Sequence, residues 1–160
     1  MSNAELSDRG VIVPCANCAQ KNRLLYARLS DPFRCGQCKR ELSPPSEPIE
    51  VKSPAEFDSV IANASLPVVV DYWAPWCGPC RMVAPELQKV AARQAGRVLV
   101  VKVNTEGLPD LGQRFAIRSI PTLAVFAHGR EIGRTTGARP APDIEAFVNQ
   151  TIEKLHHGAH

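Results

Sequence analysis

Nowhere does this 160-residue chain hold the run of about 18 apolar residues that a membrane-spanning helix needs. Its longest candidate is the short Pro67 to Ala74 segment, so no membrane role is expected. Met1 to Val13 carry Glu5, Asp8 and Arg9 and no apolar stretch of signal-peptide length, so no export signal is expected. A cytoplasmic protein is the expectation. No internal repeat is visible. A strong charge bias is also lacking. Residues 46–160 hold twelve Lys or Arg and twelve Asp or Glu, so the excess lies in residues 1–45, with seven basic against four acidic residues. That is a weak case for nucleic acid, and weaker still if thiolates and a divalent cation sit there.

What is present is the composition of a folded protein, with 44% hydrophobic and 22% charged residues, and room for one full domain plus a small accessory unit. The six cysteines form three Cys-x-x-Cys pairs: Cys15 and Cys18, Cys35 and Cys38, Cys77 and Cys80. In a reducing compartment this spacing suggests metal binding or redox catalysis more than structural disulfides.

The first unit spans residues 11–42, after a flexible segment over 1–10. It has little aliphatic content and no helical periodicity, so burial alone cannot fold it. Cys15-x-x-Cys18, sixteen intervening residues and Cys35-x-x-Cys38 fit a zinc ribbon, with Gly36 expected to allow a tight knuckle. Four thiolates complete tetrahedral zinc and leave no open position, which makes one structural zinc the expected cofactor. Oxidation to two disulfides is the alternative. Residues 43–48, with three prolines, read as an extended linker.

The second unit spans 49–156, with a flexible tail over 157–160. Ser53-Pro54-Ala55-Glu56 carries a capping serine, a proline at the first helical position and a glutamate at the third, predicting a helix to about Asn63. Pro67 to Trp73 is apolar apart from Asp71, as in a central strand buried on both faces. Met82, Val83, Leu87, Val90 and Ala91 recur at helical spacing between about Pro79 and Ala95, with Pro85 expected to kink this helix and Gly96 to end it. A strand over Val98–Val103, a short helix over Leu108–Phe115, a hairpin around His128-Gly129-Arg130 and a helix over Pro142–Leu155 follow. With Ile49–Lys52 as first strand, the order is βαβαβαββα.

The segment Trp73-Ala74-Pro75-Trp76-Cys77-Gly78-Pro79-Cys80, with Asp71, Lys102, Ser119-Ile120-Pro121-Thr122 and Gly137, resembles the thioredoxins over residues 49–155. The resemblance implies an α/β thioredoxin fold, a central mixed β-sheet flanked by helices, behind the N-terminal ribbon. It also implies protein-disulfide reduction with no bound organic cofactor. Where a buried strand passes into a helix, Cys77 lies at the helix N-terminus, whose free amides and dipole favour the attacking thiolate; Cys80, one turn later and expected to be more shielded, resolves the mixed disulfide.

By the same resemblance, Asp71 assists proton transfer at Cys80 and Lys102 stands beside it, though a backbone-bonding Asp and a purely structural Lys remain alternatives. Burial should raise the Asp71 pKa. Pro121 is implied to follow a cis peptide, leaving the backbone of Ile120 free to pair with substrate, while Pro75, Trp76 and Gly137 complete an apolar docking surface. Gly78-Pro79 between the cysteines points to reduction, with electrons from NADPH through a thioredoxin reductase; disulfide-containing proteins are the implied substrates and a monomer is expected. Ribbon and redox motif together resemble the bacterial zinc-containing thioredoxins, called thioredoxin 2. A binding module using the ribbon, or a stress sensor that ejects zinc, are the competing classes.

Overall fold

The computed structural model describes residues 4–157. Its N-terminal part contains β1 (Glu5–Leu6), β2 (Gly10–Pro14) and β3 (Lys21–Leu25), paired antiparallel in that order, then a single 3-10 turn (Tyr26–Arg28). The hairpin of β4 (Phe33–Arg34) and β5 (Glu41–Leu42) follows. The remainder runs β6 (Ile49–Glu50), α1 (Pro54–Asn63), β7 (Val68–Trp73), α2 (Gly78–Arg93), β8 (Leu99–Asn104), α3 (Pro109–Arg114), β9 (Thr122–Ala127), β10 (Arg130–Thr136) and α4 (Ala141–His157). This is the expected βαβαβαββα order.

Local chemistry accounts for the boundaries. Ser53 caps α1 by accepting the Glu56 amide at 3.1 Å, and Glu56 returns the favour to the amide of Lys52 at 3.0 Å. Helix α2 continues through Pro85 as one helix and ends at Arg93, with Gly96 just beyond at φ +82°.

The five-stranded sheet has the order β10-β9-β7-β8-β6, with β6 and β7 parallel to β8 and β9 antiparallel to both its neighbours. Strand β7 is therefore central, and the alternation of its residues assigns two faces. Val68, Val70 and Tyr72 join one buried cluster with Phe57, Val60, Val101 and Phe126. Val69 joins the other, with Val83, Leu87 and Val90 of α2 and Ile144 and Val148 of α4. Asp71, two residues from Val69, thus lies on the α2 side.

The N-terminal unit is less independent than its linker implies. Leu24, Tyr26 and Leu29 belong to the same buried cluster as Phe57, Val60 and Leu66, and α1 packs against the 3-10 turn. Tyr26 accepts the Ser65 amide on its carbonyl at 2.8 Å, and Glu5 pairs with Lys52 at 3.3 Å. The flexible segment expected over 1–10 is not found from Ala4 onward, because Leu6 is buried and β1 pairs with β2; residues 1–3 lie outside the described residues. Of the expected tail, His157 still ends α4 and residues 158–160 are outside the described set.

Candidate active site and metal centre

Strand β7 ends at Trp73, and three residues of turn deliver Cys77 to the start of α2. Cys77 is the helix cap: its Sγ accepts the amide of Cys80 at 3.2 Å. The two cysteines form a disulfide across 5.3 Å between Cα atoms. Both are buried, Cys77 at 3% and Cys80 at 5% exposure, so the difference in shielding expected from their positions is absent in this oxidised state. What distinguishes Cys77 is its neighbourhood. Its Sγ lies 3.8 Å from the carbonyl oxygen of Ile120 and follows exposed Pro75 and Trp76 in the chain, within a small buried cluster that both cysteines share with Ala74.

The Ile120–Pro121 peptide is cis, as the resemblance implies. Beyond it, Gly137 donates its amide to the Pro121 carbonyl at 2.9 Å while holding φ +94°, a conformation open to glycine and strained for any side chain. Ile120 thus meets the disulfide directly, Gly137 is tied to the residue after it, and Pro75 and Trp76 precede Cys77 in the same turn. Sequence periodicity placed Met82 on the apolar face of α2, but it is 70% exposed, like Trp76 at 68%. It stays outside the core, because Val83 takes the inward position one residue on.

Asp71 is 1% exposed, and its Oδ1 has no hydrogen-bond partner among the described residues. Burial pushes its carboxyl up to about 7, with Lys102 pulling it down and Glu50 pushing it further up. Lys102 stands opposite Asp71 in the β7–β8 register, its ammonium 4.7 Å from the centre of the Trp73 ring. Glu50 was not singled out by sequence, since a lone Glu at the edge of a short strand carries no signal; only the register of β6 on β8 puts it beside Lys102.

At the other end of the chain the sulfurs of Cys15, Cys18, Cys35 and Cys38 all lie within 4.8 Å of one another, with Cys15 and Cys38 at 3.7 Å and Cys18 and Cys35 at 3.6 Å. Zinc–sulfur bonds of about 2.3 Å in a tetrahedron require sulfurs about 3.8 Å apart, so the set fits zinc.

Two matching knuckles present these sulfurs. In the first, Cys15 accepts from the Ala19 amide at 2.8 Å and donates to the Gln20 carbonyl at 2.8 Å. In the second, Cys35 accepts from the Lys39 amide at 3.0 Å and donates to the Arg40 carbonyl at 2.8 Å. The left-handed residues are Ala19 at φ 66° and Lys39 at φ 67°, one past each second cysteine; Gly36, expected to make the tight turn, instead donates its amide to Asn22 Oδ1 at 3.0 Å.

The Cys38 and Gln37 amides hold Cys35 down to about 6, and the Arg40 amide holds Cys38 below its usual range. The Gln20 amide also favours the Cys18 thiolate, but burial and the three other thiols outweigh it and push Cys18 up to about 11. Four clustered sulfurs of this kind offer a cation the thiolate ligands that zinc takes.

Comparison with known proteins bears on the larger unit and the whole chain. The Thioredoxin family model matches residues 48–150. Thioredoxin C-3 of Corynebacterium nephridii is 39% identical over 144 residues, covering 90% of this chain and 97% of that protein. Thioredoxin 1 of Synechococcus elongatus is 48% identical over 98 residues, covering 61% of this chain and 92% of its own. Among solved structures, the thioredoxin of Malassezia sympodialis superposes with a TM-score of 0.61 at 31% identity, covering 69% of this chain and 95% of that one. The matched region holds the paired cysteines, the buried aspartate and the cis proline in one continuous domain, and the chain belongs to the thioredoxin family of protein-disulfide oxidoreductases.

Proposed function

We propose that the chain reduces disulfides in other proteins through Cys77 and Cys80, and that the four N-terminal cysteines hold one structural zinc, as in zinc-containing thioredoxins. The observation that carries the first part is the capping of α2 by Cys77 against the cis Ile120–Pro121 peptide.

In the reduced protein the Cys77 thiolate, favoured by the Cys80 amide and the helix terminus, attacks one sulfur of a substrate disulfide. The substrate S–S bond breaks, and the leaving thiolate takes a proton from water. Cys80 then gives its thiol proton to the Asp71 carboxylate, whose raised pKa suits it to neutral pH. The Cys80 thiolate attacks Cys77 Sγ, the mixed disulfide breaks and the second substrate thiolate leaves, so two electrons pass to the substrate. Pro75, Trp76, Pro121 and Gly137 offer the docking surface, with Ile120 free to pair with an extended chain.

Re-reduction falls to a thioredoxin reductase drawing on NADPH, in the cytoplasm, with the protein acting as a monomer. Zinc, when bound, supplies a covalent-like crosslink between the two knuckles and no chemistry at the redox pair. An insulin reduction assay with NADPH and a reductase tests the reading: turnover by the intact chain, abolished in Cys77→Ser, is the expected result. Failure of the wild type to reduce insulin would count against it.

A further inference from the structure

Three adjacent strands place charged residues in one row. Glu50 of β6 pairs in register with Lys102 of β8, which pairs in register with Asp71 of β7. Paired residues point to the same face, here the one covered by α2. Exposure rises along the row: Asp71 is 1% exposed, the side chain of Lys102 20% and that of Glu50 46%. The row therefore runs from the core to solvent.

Lys102 is not shared equally. Its ammonium lies 3.9 Å from Glu50 Oε1 and over the Trp73 ring, while Asp71 has no ion-pair partner among the described residues. Among the described residues, Lys102 and Glu50 are the charged groups that act on Asp71; β9 faces it with Leu123, and α2 brings the Cys77–Cys80 pair beyond the end of its strand.

We propose that Glu50 is a positioning residue for disulfide exchange, anchoring the Lys102 ammonium at the outer end of the row and so leaving Asp71 free to bind and release a proton at neutral pH. The proposal rests on the reading that Asp71 handles the Cys80 proton. Removing the Glu50 charge acts twice in one direction. It deletes a negative charge that opposes ionisation of Asp71, and it frees the ammonium to turn inward toward the buried carboxylate. An opposite charge within about 4–6 Å lowers a carboxyl pKa by about 1–3 units.

The test follows the Asp71 carboxyl by 13C chemical shift across pH in the full-length protein, beside the pH profile of insulin reduction. Glu50→Gln is expected to move the Asp71 midpoint down by about one unit, with the rate profile following it. In a Lys102→Met background the same substitution should move it by less than half as much, since only the direct field remains. An Asp71 midpoint unchanged or raised in Glu50→Gln overturns the proposal alone, as does an equal shift with Lys102 absent. Wild-type insulin reduction by Asp71→Asn removes the reading beneath it, and the proposal with it.

Discussion

The amide of Cys80 donates to Sγ of Cys77 at 3.2 Å, so the helix that carries both cysteines is capped by one of them. The bond favours negative charge on Cys77 and gives Cys80 nothing comparable. Cys80→Ser is therefore expected to accumulate mixed disulfides with target proteins, and Cys77→Ser to trap none. In the reduced protein at mildly acidic pH, iodoacetamide should modify Cys77 well before Cys80, with mass spectrometry locating the adduct. Trapping by Cys77→Ser would reverse the assigned roles.

Asp71 gives a pH-dependent prediction with a definite sign. Its folded pKa of about 7 lies above the ordinary value of 3.8, so between these the folded state binds more protons than the unfolded one. Stability contributed by the neutral carboxyl is whole below about 4, falls as pH rises to about 7, and is gone above that. Asp71→Asn should match the wild type in acid and exceed it above neutral by up to about 4 kcal/mol, read by urea unfolding at several pH values. The same variant should reduce insulin at least about tenfold more slowly at neutral pH.

The cysteine cluster predicts one zinc per chain. Elemental analysis should find it lost in the Cys35→Ser, Cys38→Ser double variant and retained in Cys77→Ser. Zinc kept by the double variant would show that the clustered sulfurs are not the ligands.

Tyr26 is 1% exposed, and its hydroxyl donates to the Ser7 carbonyl at 2.6 Å. Tyr26→Phe removes that bond and should cost about 0.5–1.5 kcal/mol. Residues 46–160 alone would lose the cover that Leu24, Tyr26 and Leu29 give to α1, and should unfold at lower urea than the full chain. Equal midpoints for the two would mean that the shared cluster contributes nothing.

Gly10 tests the ribbon's packing from the backbone side. A Cβ there would collide with the Leu24 carbonyl oxygen across the β2–β3 pair. Gly10→Ala should destabilise by about 1–3 kcal/mol and weaken zinc retention against a chelator, while leaving the rate of insulin reduction little changed.

Parts of the protein that depend on neighbours along the chain were legible in the residue order. The cap at Ser53, the apolar run around Asp71, the helix after Cys80 and the two cysteine pairs at ribbon spacing are local patterns, and each appears where it was read apart from the face given to Met82. The redox motif was legible for the same reason, since a strand, a turn and a helix start lie within ten residues. Tertiary structure decided the rest. Strand register aligned Glu50 with Lys102 and Asp71, and no period along a single strand encodes which residue of another strand it will face. Met82 turned outward because the placement of α2 on the sheet selected Val83, Leu87 and Val90 for burial. The ribbon joined the larger core because the apolar side chains of Leu24, Tyr26 and Leu29, too few to close a core of their own, find Phe57 and Val60 across a prolyl segment that separates them in sequence but not in space.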